Sequence, residues 1–210
     1  MSDDVFAADG RVIGSRALAT RRKLLDATAK LLQEQGILDL RVVDISRDIG
    51  SSPATFYQYF NDVDEAILEL SKEATEDEKP LVELLQPGWT ESDGLERAGK
   101  FVDAYMVYWD THHAVLRARN LKAEEGNRHF RAVRTEANLL VMDAIQAMVT
   151  EGIATKRLPE SLDPFTTAAA VVAMCERLLA FQPEMAKRGA NRDAIRNTLA
   201  TLVYGALTGH

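Results

Sequence analysis

Apolar residues along this chain recur at spacings of three and four rather than two, a period that predicts helices throughout. The first helix spans about residues 16–35 and stops at Gly36. Val42, Ile45 and Ile49 mark a short second helix ending at Gly50, which Asp39 could cap. A third begins almost at once, with Ser52 as N-cap and Pro53 at the first helical position. Asn61 or Asp62 caps a fourth, carrying Val63, Ile67 and Leu70 to about Lys79, where Pro80 breaks or kinks it. Gln86-Pro87-Gly88 is a break. Beyond it, a long helix over 92–111 gives way at His112-His113 to a shorter one holding Val115, Leu116 and Leu121. A helix over 127–151 ends at Gly152. Another starts at Asp163-Pro164 and is apolar nearly all round from 168 to 181, the mark of a buried helix. Asn191 caps the last, whose seam is Ile195, Leu199, Leu202 and Ala206. The expected fold is all-α with about nine helices, three in an N-terminal module and six behind it.

Two short helices joined by a tight glycine turn make a helix-turn-helix, whose second member enters the DNA major groove. Its exposed side would offer Ser52, Pro53, Ala54, Thr55 and Gln58 to base edges and phosphates. Phe56 and Phe60, one turn apart, would pin it to a core, while Tyr57 and Tyr59 add apolar bodies with hydroxyl tips. A plain helical hairpin shares this layout, so more than the turn is needed to separate the two.

The stretch from about Thr20 to Leu68 resembles the tetracycline-repressor (TetR) family of bacterial transcription regulators. The family's first helix has the form Thr-Arg-x-x-(Ile/Leu)-Leu-x-Ala-(Ala/Thr)-x-x-Leu-(Phe/Leu); here it reads Thr20-Arg21-Arg22-Lys23-Leu24-Leu25-Asp26-Ala27-Thr28-Ala29-Lys30-Leu31-Leu32. The pattern continues through Asp44-Ile45 and Gly50 to Thr55-Phe56-Tyr57-Gln58-Tyr59-Phe60. Arg41 stands where the family usually has a Thr, and Val63 where a phosphate-binding Lys usually follows. The resemblance implies a helix-turn-helix DNA-binding domain followed by a helical effector-binding and dimerisation domain. It also implies dimerisation through the last two long helices.

The net charge of −7 is unusual for a DNA binder until it is resolved along the chain. Residues 1–10 carry −3, residues 11–60 carry +3, residues 61–86 carry −7 and the remainder zero. The basic excess therefore falls on the helix-turn-helix, at Arg11, Arg16, Arg21, Arg22 and Lys23, with Arg41 beside it. These bases are candidate phosphate or minor-groove contacts. The acidic cluster Glu73, Glu76, Asp77, Glu78 reads most simply as a solvated helix face. The 46% hydrophobic and 27% charged fractions are ordinary for a globular protein. No apolar run reaches a membrane span and the start lacks a signal-peptide layout, so a cytoplasmic protein with no membrane partner is expected. Cys175, the one cysteine, sits in an apolar run as a small core residue.

Catalytic patterns are missing: no Gly-rich phosphate loop, no His-Glu-x-x-His, no Cys-x-x-Cys, no Gly-x-Ser-x-Gly. Neither an enzyme activity nor a metal or cofactor is expected. Phe101, Tyr105, Tyr108 and Trp109 form an aromatic stripe that is either core or the wall of a small-molecule site, with Asn138, Met142 and Glu176 as further candidates. Glu176-Arg177 reads first as an ion pair between helices. The last two long helices carry the candidate dimer seam Val171, Leu178, Ile195, Leu199, Leu202 and Ala206.

The organisation expected is an arm over 1–15, a DNA-binding domain over 16–61, a linking helix over 62–86 and an effector and dimerisation domain over 87–210. The leading functional reading is a homodimeric repressor that binds a palindromic double-stranded operator and is released by a small apolar or amphipathic effector. The alternative is a helical small-molecule-binding or catalytic protein whose helix-turn-helix has lost its operator, which the acidic fourth helix and Val63 would suit.

Overall fold

A computed structural model describes residues 14–209, so most of the expected arm, Arg11 included, lies outside the described residues. Those residues form ten helices and no strand. They are α1 (Ser15–Gln35), α2 (Val42–Asp48), α3 (Pro53–Tyr57), α4 (Val63–Glu76) and α5 (Lys79–Leu84), then α6 (Gly94–Glu124), α7 (Arg128–Ala154), α8 (Pro164–Ala180), α9 (Gln182–Ala186) and α10 (Arg192–Thr208). The all-α reading holds. The chain divides into two compact units: residues through Ala74 with Ala114–Arg134, and Thr75–His113 with the residues from Thr135 on. Division at residues 61 and 86 differs from this, because α6 and α7 lend residues 114–134 to the first core.

Several helix ends follow from the residues expected to make them. Gly36 closes α1 at φ 77°, a backbone region other residues rarely adopt. Ser52, Asp163 and Asn191 each accept a bond from the backbone N–H three residues on, at Thr55, Thr166 and Ala194. Asp62 Oδ1 does the same for Glu65 N–H at 2.8 Å, while Glu65 reaches back to Asn61 N–H at 2.6 Å.

Elsewhere the segmentation differs. Asp39 does not cap α2: its N-cap is Arg41, without a side-chain bond. His112-His113 does not interrupt α6, which runs on because Ala114, Val115, Leu116 and Ala118 continue its buried face. Gly152 is inside α7 rather than at its end; a Cβ there would lie 2.6 Å from Leu158 Cδ1, so the glycine permits a close approach. The break at Pro80 comes earlier: α4 stops at Glu76, and the proline occupies the tolerated first turn of α5. Nor is α8 buried on every side, since Phe165 is 48% exposed and Ala173 and Ala180 face out.

Leu24, Leu25, Ile45, Phe56, Phe60 and Ile67 form the core of the first unit, joined by Val115, Ala118, Ala123 and Phe130 from α6 and α7. Lys122 pairs with Asp64 at 3.0 Å, tying α6 to the first turn of α4. In the second unit α8 and α10 pack together. Arg196 forks onto Asp103 (2.8 and 2.7 Å) and Arg192 onto Asp110 (3.3 and 2.5 Å), joining α10 to α6. Burial pushes the Cys175 thiol up to about 12, which leaves it an unreactive core residue.

Two substitutions rank the forces on α3. Phe56→Ala should destabilise the first unit by about 3–5 kcal/mol, against about 1 kcal/mol for Ser52→Ala. Urea unfolding of the two variants measures this directly; equal costs would mean the cap rather than the core holds the helix.

Candidate nucleic-acid interface

An isolated helix of five residues cannot hold itself together in water, so α3 depends on what surrounds it. Gly50 turns the chain at φ 67°, and Ser51 N–H donates to Ser46 O at 2.8 Å, closing the α2–α3 corner. Phe56 and Phe60 then enter the core with their rings 5.4 Å apart, both essentially inaccessible. Their burial leaves Ser52, Pro53, Ala54, Tyr57 and Gln58 exposed on the opposite face, with Thr55 half-buried beside them. Tyr57 is 54% exposed, and its ring meets Phe56 edge-on at 5.9 Å, so its hydroxyl stands out from a ring that is already positioned. Tyr59, a candidate contact, turns half-buried toward the core.

The arginines assigned to DNA separate into two groups. Arg21 lies 5.0 Å over the Phe60 ring and pairs with Glu69 at 2.9 Å. Arg22 bridges Asp26 and Glu73 at 2.8 Å each. Both therefore brace α1 against α4. Arg16, at the start of α1, and Arg41, 78% exposed, point outward. Sequence reasoning missed Arg47. It lies at the end of α2, 73% exposed and sharing Asp44 with Arg41, and a base next to the Gly50 turn was the available signal. Val63, where the resemblance leads one to expect a phosphate-binding Lys, packs half-buried against the core.

Outside this face, the acidic cluster is not simply solvated. Glu78 is only 6% exposed and accepts the Tyr108 hydroxyl, and Asp77 meets His112 Nε2 at 3.1 Å. Phe101, Tyr105, Tyr108 and Trp109 are all buried, the first three ring against ring at 5.9 and 6.0 Å. Met142 is buried and Asn138 and Glu176 are half-buried. Arg177 stacks on Phe181 at 3.8 Å. A shallow groove of about 510 Å³ runs along α7 over Asp143, Gln146, Ala147, Thr150, Glu151 and Ala154, and none of those candidates lines it.

Two family models match the sequence: "Bacterial regulatory proteins, tetR family" over residues 24–69, and "Tetracyclin repressor-like, C-terminal domain" over residues 81–210. The chain belongs to the TetR family. It is a DNA-binding transcriptional regulator, and the helix-turn-helix is its DNA-binding element. Solved structures share the fold at low identity. A transcriptional regulator from Saccharomonospora viridis in complex with choline aligns at TM-score 0.71 and 20% identity, over 89% of this chain and 96% of that one. FadR from Bacillus subtilis in complex with stearoyl-CoA gives 0.67 and 18%, over 88% and 98%. GusR from Salmonella enterica gives 0.67 and 18%, over 90% and 96%. No curated protein matches the chain.

The split among the arginines is measurable in this TetR-family protein. Neutralising Arg16 or Arg41 should lower the slope of log K against log salt by about 0.9 for each phosphate that is no longer neutralised, with stability unchanged. Arg21→Ala should instead lower stability, because it removes the packing on Phe60 and the pairing with Glu69. Equal salt slopes for all three variants would contradict the division.

Proposed function

We propose that the protein is a cytoplasmic homodimeric repressor that reads a palindromic operator with α3 of each subunit and is released by a small apolar or amphipathic effector. It acts by binding rather than by catalysis. Tyr57 donates to a phosphate, and Ser52, Ala54, Thr55 and Gln58 meet phosphates and base edges in the major groove. Half-sites then lie about 34–36 Å apart on one face of the duplex. Among the described residues no helix is long and apolar enough to cross a membrane.

The observation that carries the dimer is the uncovered apolar surface of two helices that pack together. Leu202 on α10 is 47% exposed and Phe165 on α8 is 48% exposed. Leu178 and Ala206 are half-covered, and the small residues Ala173, Thr198 and Thr201 are exposed and allow close approach. Val171, Ile195 and Leu199, expected in the same seam, are buried within the subunit and serve its own core. A second copy of α8 and α10 would complete a four-helix bundle about a twofold axis.

For the effector, the aromatic stripe is the favoured site. Phe101, Tyr105 and Trp109 supply apolar walls, and Tyr108 with Glu78 supplies a polar end. These rings are packed together, so a ligand must part them, and binding then selects an altered arrangement of the second unit. Structurally similar regulators hold choline, a small quaternary ammonium cation, and stearoyl-CoA, which is amphipathic.

Tyr57→Phe, which removes the hydroxyl and keeps the ring on Phe56, is expected to weaken operator binding without changing the melting temperature. Leu202→Glu is expected to sediment as a monomer and to lose about a thousandfold or more in operator affinity, down to non-specific binding. A wild-type protein that sediments as a monomer while binding one operator tightly would sink the dimer reading.

A further inference from the structure

Arg119 on α6 is 2% exposed, and its Nη1 is buried with no acceptor. Nε donates to Asn120 Oδ1 at 3.2 Å, its only hydrogen-bond partner among the described residues. A guanidinium keeps its charge at any ordinary pH and presents a planar fork of donors, so burying it without an anion is strongly unfavourable. Several more exposed arginines of the first unit pair with carboxylates: Arg21 with Glu69, Arg22 with Asp26 and Glu73, Arg47 with Asp44 and Arg134 with Glu124. Among the described residues Arg119 pairs with no carboxylate. The stretch around it is also the most basic in the chain outside the DNA-binding module. Residues 114–134 carry six bases and two acids, a net charge of +4, and the two acids, Glu124 and Glu125, are exposed. That field favours an incoming anion.

We propose that Arg119, held in plane by Asn120, is an oxyanion-binding site inside the unit that carries the recognition helix, taking the carboxylate or phosphate group of a small molecule. The bond from Nε to Asn120 leaves Nη1, which has no acceptor, for the anion. Val115, Ala118 and Ala123, which flank Arg119 on α6, belong to the same buried cluster as Phe56 and Phe60. The ligand would thus stabilise the core beneath α3 directly. The proposal does not depend on an effector binding at the aromatic stripe.

The test is thermal melting of the full chain in sodium phosphate and in sodium acetate, each against sodium chloride at matched ionic strength. The wild-type Tm should rise saturably, by roughly 5 °C or more once the anion exceeds its Kd about a hundredfold. Whichever anion acts at lower concentration identifies the head group. Arg119→Met, of similar length and without charge, should show no response. Asn120→Asp, which brings a carboxylate to the guanidinium from its own chain, should raise Tm without added anion and abolish the response. A rise matched by chloride, no rise with either anion, or a rise kept in Arg119→Met would overturn the proposal. If Arg119→Met does not fold, an undiminished response in Asn120→Asp overturns it equally.

Discussion

Phe56 and Phe60 are buried completely beneath a recognition helix only five residues long. A segment that short has no helical stability of its own, so the DNA-facing surface exists only because those two rings are held from below. The hold comes from three directions. Leu24 and Leu25 of α1 and Ile67 of α4 share the cluster, residues of α6 and α7 close it, and Arg21 lies over the Phe60 ring while pairing with Glu69. Anything that loosens this core moves Tyr57 and Thr55 relative to the groove.

The same constraint accounts for the charges. In a chain of net charge −7, several acids of the first unit are engaged by its bases. Glu69 and Glu73 hold Arg21 and Arg22, and Asp44 sits between Arg41 and Arg47. Of the arginines left facing outward, Arg41 and Arg47 lie at the two ends of α2 and Arg16 at the start of α1.

Local signals in the sequence are reliable where the physics is local. Ser52, Asp62, Asp163 and Asn191 cap helices because a side-chain oxygen and a backbone N–H three residues on suffice. The aromatic anchors of α3 are legible for the same reason, as two rings one turn apart. Features set by distant partners are not. His112-His113 reads as an interruption, yet the buried face beyond it carries α6 on. Glu78 reads as solvated, and its burial depends on Tyr108, thirty residues away. Arg21 and Arg22 read as DNA contacts because their partners, Glu69 and Glu73, lie on another helix. In the proposed dimer seam, periodicity finds the apolar positions of α10 but cannot divide Ile195 and Leu199, which are buried within the subunit, from Leu202, which is exposed.

The central claim is that the exposed face of α3 enters the major groove and that a pair of such faces reads one operator. Methylation interference at guanine N7, on the DNA upstream of the chain's own gene, tests it most directly. Interference is expected in two major-groove patches on one face of the duplex, about 10 base pairs apart or a multiple of that. A single patch, or binding untouched by methylation anywhere in the major groove, would contradict it.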